Sequence, residues 1–470
     1  MHPRILIVAV LGLTAGCALG PNYKRPITEI PSAFRAPEPL PPDQAASIAD
    51  LKWFEVFKDE ALQQLIRTAL QRNFDLRDAF TRIEAARANL GITRSNQYPN
   101  FGATASLEIN RLSRDGATPL PIQVLPSQNR NFGAASLDLL SFEIDIWGRL
   151  RRATEAARAN LLGAEETRRA VVTTLVSDVA TEYLTLRQLD YTLEISRRTL
   201  ENREQSLTLT KSRQTGGVST LLDLRQSEQL VFTAAQTIPT IQQQIEQTEN
   251  QIQLLLGEKP GTVSRGREFT DQSFPPDVPA GLTSALLQRR PDIRAAEQAL
   301  IGANAQIGVA RAAYFPTLTL SGLLGGASTQ LTGLFSGPNS TWSLVPQLTQ
   351  PIFNAGRIKS GVELSRAERD HALVQYERTI QTAFAEVSDA LIAHQRVRES
   401  REQQEMLVHT LEDRLRLAYL RYRGGVDTQL NALDADRDLF QAQLDLARIR
   451  LDEMLAVVQL YKALGGGWES

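Results

Sequence analysis

Histidine and cysteine, the side chains that most often carry catalysis or bind metals, are scarce in this chain of 470 residues. The sequence contains one cysteine and four histidines, His2, His371, His394 and His409. His371 and His394 fall in predicted helices without a set of His, Asp and Glu partners at helical spacing, so we predict no metal site and no cofactor. A Ser/His/Asp set, a Cys/His set and a phosphate-binding loop are also missing from the sequence. We therefore expect that the protein is not an enzyme.

The single cysteine, Cys17, lies at the end of an N-terminal apolar run over residues 5–15, which follows Arg4. A positive charge, a short apolar run and small residues are typical of a secretory signal, and about eleven apolar residues are too few to span a membrane. The sequence Leu-Thr-Ala-Gly before Cys17 resembles a bacterial lipobox, in which the cysteine becomes the lipidated first residue. We predict a signal peptide over residues 1–16, a lipid anchor on Cys17 and a Pro-rich extended linker over residues 17–50. The alternative is an ordinary secreted protein with one free thiol.

The charges of the chain are nearly balanced, with 51 Lys and Arg, 53 Asp and Glu, and a net charge of −2. Nucleic-acid binding requires a basic excess, so we predict no nucleic-acid partner. Beyond Cys17, no apolar run reaches the ~18 residues of a transmembrane helix. Helical charges are expected to lie on solvated surfaces rather than to bind a substrate, and they include Arg149, Arg151, Arg152, Glu201 and Arg203.

The chain contains an internal repeat. Gly216-Gly217-Val218 recurs as Gly424-Gly425-Val426, an offset of 424 − 216 = 208 residues, whereas Pro99 recurs as Pro316 with an offset of 316 − 99 = 217 residues. The first copy is therefore longer by 217 − 208 = 9 residues, and we place this insertion in a surface loop over residues 111–130. The predicted organisation is a first repeat over residues 51–257, a connector over 258–280, a second repeat over 281–464 and a tail over 465–470.

Two runs without Gly or Pro, residues 164–215 and 362–423, are much longer than an average globular helix. Their Leu, Ala, Gln, Glu and Arg residues favour helix, and their apolar residues recur at helical spacing. Each run is followed by a Gly-Gly turn and a second helical segment. We therefore predict a helical hairpin in each copy, with tips at residues 213–220 and 421–428.

Between the helices, four segments alternate apolar with polar or small residues: 101–110, 134–147, 317–325 and 340–353. A period of two residues predicts strands with one apolar and one polar face, and we expect irregularities at Pro346 and over residues 137–141. In a secreted lipoprotein such strands suit an outer-membrane β-barrel with its apolar face toward lipid. The alternative is a small water-soluble β-layer.

A barrel of this kind requires several chains. Strand edges in lipid leave unpaired backbone groups that each cost several kcal/mol, so the sheet must close, and known barrels begin at about eight strands. Four strands per chain are too few, although the alternation does not distinguish two, three or four copies. The polar face carries Glu108, Asp138, Glu143 and Asp145, which predict an acidic lumen with a mild preference for cations.

Several motifs also stand in a fixed order along the chain. They are Gly-Pro-Asn-Tyr-Lys-Arg-Pro at 20–26, Trp-Phe at 53–54 with Phe57, Asp59 and Leu62, Leu-Gln-Arg-Arg-Pro-Asp-Ile-Arg at 287–294, Pro-Ile-Phe-Asn-Ala-Gly-Arg at 351–357, Leu-Asp-Ala at 433–435 and Tyr-Lys-Ala-Leu-Gly-Gly-Gly-Trp at 461–468. In this order the chain resembles the TolC/OprM-type outer membrane factors, in the lipidated, NodT-like subfamily that serves resistance-nodulation-division efflux pumps.

The resemblance implies a mainly α-helical homotrimer with a transmembrane β-barrel of twelve strands, four from each chain, continued as a long α-helical barrel in the periplasm. It implies a lipid-anchored outer-membrane exit duct that exports small molecules passively. The implied partners are outer-membrane lipid, a periplasmic adaptor (membrane fusion) protein and an inner-membrane resistance-nodulation-division transporter. Two alternatives remain: the outer duct of a type I protein-secretion system, and, in another class, a lipid-tethered periplasmic coiled-coil scaffold or adaptor.

The resemblance also implies roles for residues near the hairpin tips. Leu430 and Asp434 would line a periplasmic gate, beside Arg437, and Asp223 and Tyr422 match positions that link neighbouring hairpins in the family. Asp434 and Arg437 correspond to Gln226 and Gln229 in the first copy, so this acid and base belong to the second copy alone. The tips would receive the adaptor through Arg213, Gly216, Gly217, Val218, Ser219, Arg421, Gly424, Gly425, Val426 and Asp427.

Overall fold

The computed structural model describes residues 18–36, 47–111, 129–272, 281 and 283–468. The signal peptide, Cys17 and most of the insertion predicted at 111–130 therefore lie outside the described residues. The helices described are α1 (Trp53–Val56), α2 (Glu60–Arg72), α3 (Phe74–Ser95), α4 (Arg149–Thr215), α5 (Leu221–Leu256), α6 (Thr283–Arg289), α7 (Pro291–Ala312), α8 (Arg357–Arg423) and α9 (Gln429–Ala463). The strands described are β1 (Phe101–Arg111), β2 (Asn129–Ile144), β3 (Thr317–Ser328) and β4 (Ser340–Thr349). None of the helices within these ranges is long and apolar enough to cross a membrane.

The described strands form one antiparallel sheet in the order β1-β2-β3-β4. Residues directly opposite one another share a face of the sheet. One such row joins Ala103, Leu137, Leu324 and Trp342, and the next joins Gly102, Asp138, Leu323 and Ser343. The sheet therefore has one apolar face, and its other face carries Asp138 and other polar side chains.

A β-bulge keeps the apolar face continuous along β2. Leu139 pairs with Gly322, and the next pair is Phe142 with Leu320, so β2 contains one residue more than β3 over this step. A shift of one residue would turn every later side chain to the opposite face; the extra residue keeps Phe142 on the same face as Leu139. The irregularity predicted over residues 137–141 is confirmed. The irregularity predicted at Pro346 is not found, because β4 is an edge strand, where proline is tolerated, and its register with β3 runs without a shift.

The ends of three predicted strands were wrong. β3 ends at Ser328 rather than residue 325. β2 begins at Asn129 rather than residue 134. It ends at Ile144 rather than residue 147, because the next residue, Asp145, caps α4. The Asp145 carboxylate accepts hydrogen bonds from the backbone N–H groups of Leu150 and Arg151. β4 ends at Thr349 rather than residue 353. Thr349 pairs with Thr317, which is the first residue of β3. The residues that follow Thr349 therefore have no partner in β3.

The long helices bury stripes of apolar residues at helical spacing. In α4 the stripe includes Val179, Tyr183 and Leu186, and in α8 it includes Tyr376 and Ile380. Such stripes bind neighbouring helices, since helices this long gain most of their stability from packing. The chain divides into two compact units, one formed by the described residues of 1–26, 83–163 and 296–375, which contains the sheet, and one formed by those of 27–82, 164–295 and 376–470, which contains the hairpin tips.

Candidate functional site: the hairpin tips

Each tip is closed by the same backbone turn. In the first tip, Gly217 has φ +76° and the Val218 N–H donates to the Arg213 carbonyl over 2.8 Å. In the second tip, Gly425 has φ +73°, and the equivalent bond joins Val426 to Arg421 over 3.0 Å. This six-to-one bond ends a helix with a left-handed residue, which glycine adopts without a steric penalty. The second glycine of each pair therefore makes the reversal possible.

The tips present apolar side chains to solvent. Val218 and Val426 are exposed at the turns, and Leu221 and Leu222 are exposed at the start of α5. Exposed apolar side chains that form a group, rather than occurring singly, are typical of protein interaction surfaces.

Side chains join the first tip to the second within the chain. The Arg213 guanidinium lies 4.9 Å from the centroid of the Tyr422 ring, and the Tyr422 hydroxyl donates to Gln429 Oε1 over 3.1 Å. The buried Gln429 amide donates to the hydroxyls of Thr210 and Ser227, each over 2.8 Å. This network connects α4, α5, α8 and α9 close to the tips.

Asp223 and Asp427 are both bound to groups of their own hairpin. Asp223 accepts from the Thr220 N–H over 2.8 Å, while its own N–H donates to the Thr220 hydroxyl, which together cap α5. Asp427 pairs with Arg421 at 3.0 Å and accepts from Asn431 over 2.6 Å. The hydrogen bond from Arg421 contributes most to lowering the pKa of Asp427.

The predicted gate residues lie on one side of α9. Leu430 and Asp434 are four residues apart and therefore on the same face, and Leu430 is exposed. Asp434 pairs with Arg437 at 3.0 Å, and Arg437 also reaches Asp438 at 3.0 Å. The first copy has glutamines at the positions of Asp434 and Arg437, so this charged face is present on α9 and not at the equivalent place on α5.

A buried ion pair between the two hairpins was missed by the sequence analysis, which placed Arg203 on a solvated surface. Arg203 Nε donates to Asp436 Oδ2 over 2.6 Å, and Nη1 donates to the Leu230 carbonyl over 3.0 Å. The side chains of Arg203 and Asp436 are only 4% and 14% exposed. Burial raises the pKa of Asp436 even though Arg203 opposes the shift.

Two signals in the sequence could have identified this pair. Polar residues occupy a helical stripe of α4 that includes Ser196, Thr199, Arg203 and Thr210, and all of them are buried. The repeat also places Leu411 at the position of Arg203, because 203 + 208 = 411, so the charge is confined to one copy.

Two other predicted charge environments were also wrong. Arg152 was expected to be solvated, but it is buried, and its guanidinium donates to Asn22 over 2.7 Å and to the Leu19 carbonyl over 3.1 Å. The polar face of the sheet is less acidic than expected, since Glu143 is paired with Arg149, and Asp145, which lies beyond β2, is paired with Arg151. Short-range pairing with arginines at the start of α4 explains the difference.

The described residues contain no cluster of three or more His, Cys, Asp or Glu side chains suited to a metal ion. The tips offer apolar, aromatic and charged contacts of the kind that bind proteins. They also place a carboxylate and a leucine on one face of α9.

The chain matches the family model for outer membrane efflux proteins over residues 65–258 and 282–466. It is 38% identical to the probable efflux pump outer membrane protein TtgC of Pseudomonas putida, over 100% of this chain and 96% of that protein. It is 36% identical to the outer membrane protein OprJ of Pseudomonas aeruginosa, over 98% and 95% of the two chains. The open-state structure of the MtrE outer membrane channel of Neisseria gonorrhoeae superposes with a TM-score of 0.87 at 32% identity, covering 96% of this chain and 99% of that one.

These similarities confirm the predicted TolC-like fold and the prediction of an outer-membrane efflux channel rather than an enzyme. The chain belongs to the outer membrane efflux protein family.

Proposed function

We propose that three copies of this chain form the outer-membrane exit duct of a tripartite efflux pump, held to the membrane in part by a lipid on Cys17. A periplasmic adaptor and an inner-membrane resistance-nodulation-division transporter deliver small molecules to the duct, which exports them passively. Relatives named as toluene, solvent and antibiotic efflux proteins support organic solvents and antibiotics as the exported compounds.

The observation that carries this proposal is the sheet with one apolar face and two open edges. Among the described strands, β1 and β4 are paired on one side only. An apolar face suits contact with lipid, but each open edge in lipid leaves backbone groups unpaired at a cost of several kcal/mol. Joining β4 of one copy to β1 of the next removes both edges, and three copies give twelve strands, above the minimum of about eight.

The hairpins supply the periplasmic part of the duct. α4 and α8 each contain 67 residues, which corresponds to a helix length of about 100 Å. In the trimer, Leu430 and Asp434 recur three times around the axis and form the gate, because a leucine ring narrows a pore and a carboxylate ring selects cations. The exposed Val218 and Val426 at the tips are the contacts offered to the adaptor.

Adaptor binding and drug susceptibility test the proposal together. Expressed with the adaptor and transporter of a related efflux pump, in a host that lacks its own efflux ducts, the chain should restore resistance and co-purify with the adaptor. Val218→Asp with Val426→Asp should abolish both effects, whereas Met406→Asp, at an exposed apolar position of α8 away from the tips, should not. Restored secretion of a protein without any gain in drug resistance would instead favour the duct of a type I secretion system.

Lipidation is tested separately. Radiolabelled palmitate should be incorporated into the full chain, and Cys17→Ser should abolish incorporation because Cys17 is the single cysteine of the sequence. Labelling that persists in Cys17→Ser, or an unlabelled wild-type chain, would contradict the lipid anchor.

A further inference from the structure

The two repeats meet within the chain at a contact that lies just beyond the paired ends of β2 and β3. The last pair there is Ile144 with Leu318. Past this pair, Trp147 Nε1 donates to the Pro316 carbonyl over 2.8 Å, and the Trp147 ring lies 4.7 Å from the Phe315 ring. The segment that follows β2 is therefore held against the corner between α7 and β3.

The equivalent corner in the first repeat has no such segment against it in the described chain. With the offset of 217 residues, Phe315 corresponds to Tyr98 and Pro316 to Pro99. Tyr98 is 58% exposed. This corner borders a recess of 690 Å³, whose lining includes Tyr98, Asn100, Leu140, Phe142 and Arg149.

The equivalent segment in the second repeat is also without a partner in the described chain. With the offset of 208 residues, Ile144 corresponds to Ile352 and Trp147 to Ala355. Ile352 and its neighbour Phe353 are 95% and 88% exposed. Because Ala355 has no ring, the large aromatic side chain nearest to the position of Trp147 is Phe353. These residues belong to the Pro-Ile-Phe-Asn-Ala-Gly-Arg motif, which neither the gate nor the tips use.

We infer that Phe353 of one copy occupies the recess beside Tyr98 of the next copy, and that Ile352 lies opposite Phe101 of that copy. The register follows from the pair within the chain, since 144 + 208 = 352 and 318 − 217 = 101. Residues 350–353, which follow the last paired residue of β4, then lengthen that strand along the open edge of β1. The inference rests on the proposed homotrimer and names the residues that join its subunits.

The contact is heterologous, since each copy inserts one Phe353 and receives another, so it closes into a ring of copies. It also explains why the large aromatic side chain of Phe353 is exposed in the single chain. Association covers Phe353 by the same kind of contact that the chain already makes with Trp147.

Cysteine crosslinking in outer membranes tests the contact. In the double variant Tyr98→Cys/Phe353→Cys, a short bis-maleimide should produce covalent trimers, and each single variant should produce none. The matched control Tyr98→Cys/Trp342→Cys should not crosslink, because Trp342 is also exposed but lies at the opposite end of β4. Co-expression of the two single variants should yield covalent dimers and no covalent trimers, since a mixed trimer then contains at most one correctly directed cysteine pair.

A second variant covers the possibility that cysteine disturbs assembly. Phe353→Ser should lower the temperature at which the trimer dissociates on gels, and Phe353→Tyr should restore it. The inference would be overturned if the co-expressed single variants gave crosslinked monomers but no dimers. It would also be overturned if the double cysteine variant formed trimers that do not crosslink and Phe353→Ser trimers were as heat-resistant as the wild type. Neither result would contradict the proposed efflux duct. A chain that is monomeric in the membrane would overturn the proposed function as well.

Discussion

Replacement of Arg203 by leucine removes the cation of the buried ion pair that joins the two hairpins. Asp436 then remains buried without its partner, and breaking such a pair costs about 3–5 kcal/mol. Leucine is the natural residue at the equivalent position of the second copy, Leu411, which packs against the buried Val408 and Leu439. The change therefore isolates the loss of charge from a loss of packing volume.

The double variant Arg203→Leu/Asp436→Leu should recover most of this loss. One guanidinium nitrogen of Arg203, Nη2, has no hydrogen-bond partner among the described residues, so the pair is incompletely satisfied. Replacing a buried pair with apolar residues is often neutral or stabilising by about 1–4 kcal/mol. We expect the ion pair to fix the alignment of α4 with α9 rather than to add net stability.

Hydrogen exchange of the hairpin amides measures this effect directly, because it reports local opening. Arg203→Leu should accelerate amide exchange in α4 and α9 near the pair. The loss of protection relative to the wild type should become smaller as the pH falls. The sign follows because burial raises the pKa of Asp436, so loss of Arg203 raises it further and protonation then relieves the unpaired charge.

Arg225→Leu serves as a control, since its pair with Glu228 is exposed and should contribute less than about 1 kcal/mol. Exchange in Arg203→Leu that matches the wild type would refute the reasoning. The reasoning would also be refuted if the loss of amide protection in the double variant equalled the sum of the losses in the two single variants.

Three further changes have defined outcomes. Asp434→Ala should raise single-channel conductance in planar bilayers if its carboxylate helps to close the gate, and unchanged conductance would remove it from the gate. Asp59→Asn should lower the midpoint of thermal unfolding at neutral pH, because hydrogen bonds from Gln272, Tyr183 and two backbone N–H groups outweigh burial and lower the pKa of Asp59. This stabilisation is present above pH 3.8, the pKa of Asp in the unfolded chain, and is lost as the pH falls through the lowered pKa of the folded state. The difference in unfolding midpoint between the variant and the wild type should therefore disappear in acid. Gly425→Ala should destabilise the second tip by about 1–2 kcal/mol because its φ is positive, whereas Gly424→Ala should cost less; equal effects would contradict the turn geometry.

The helical hairpins, the tips and the four strands were predictable because each follows from a local pattern. Runs without Gly or Pro define the helices, and a period of two residues defines the strands. The strand ends were less predictable, because Asp145 ends β2 by capping α4, and this competition between elements has no clear local signature.

The buried charges were predicted least well. Arg203 and Arg152 both lie in α4, a helix rich in charged residues, where most arginines are solvated. What buries them is a partner distant in sequence: Asp436 for Arg203, and the extended segment at Leu19 and Asn22 for Arg152. Periodicity identifies the face of a helix but not the residue opposite, so the polar stripe of α4 and the repeat comparison indicate that Arg203 is unusual without naming Asp436 as its partner.

The proposed duct requires that one chain is an incomplete part of a closed pore. Native mass spectrometry of the protein extracted from outer membranes in detergent tests this claim directly. We predict a single species with the mass of three mature chains, stable until detergent or heat separates the subunits. A monodisperse species with the mass of one chain, in a sample whose sheet retains its secondary structure, would contradict it.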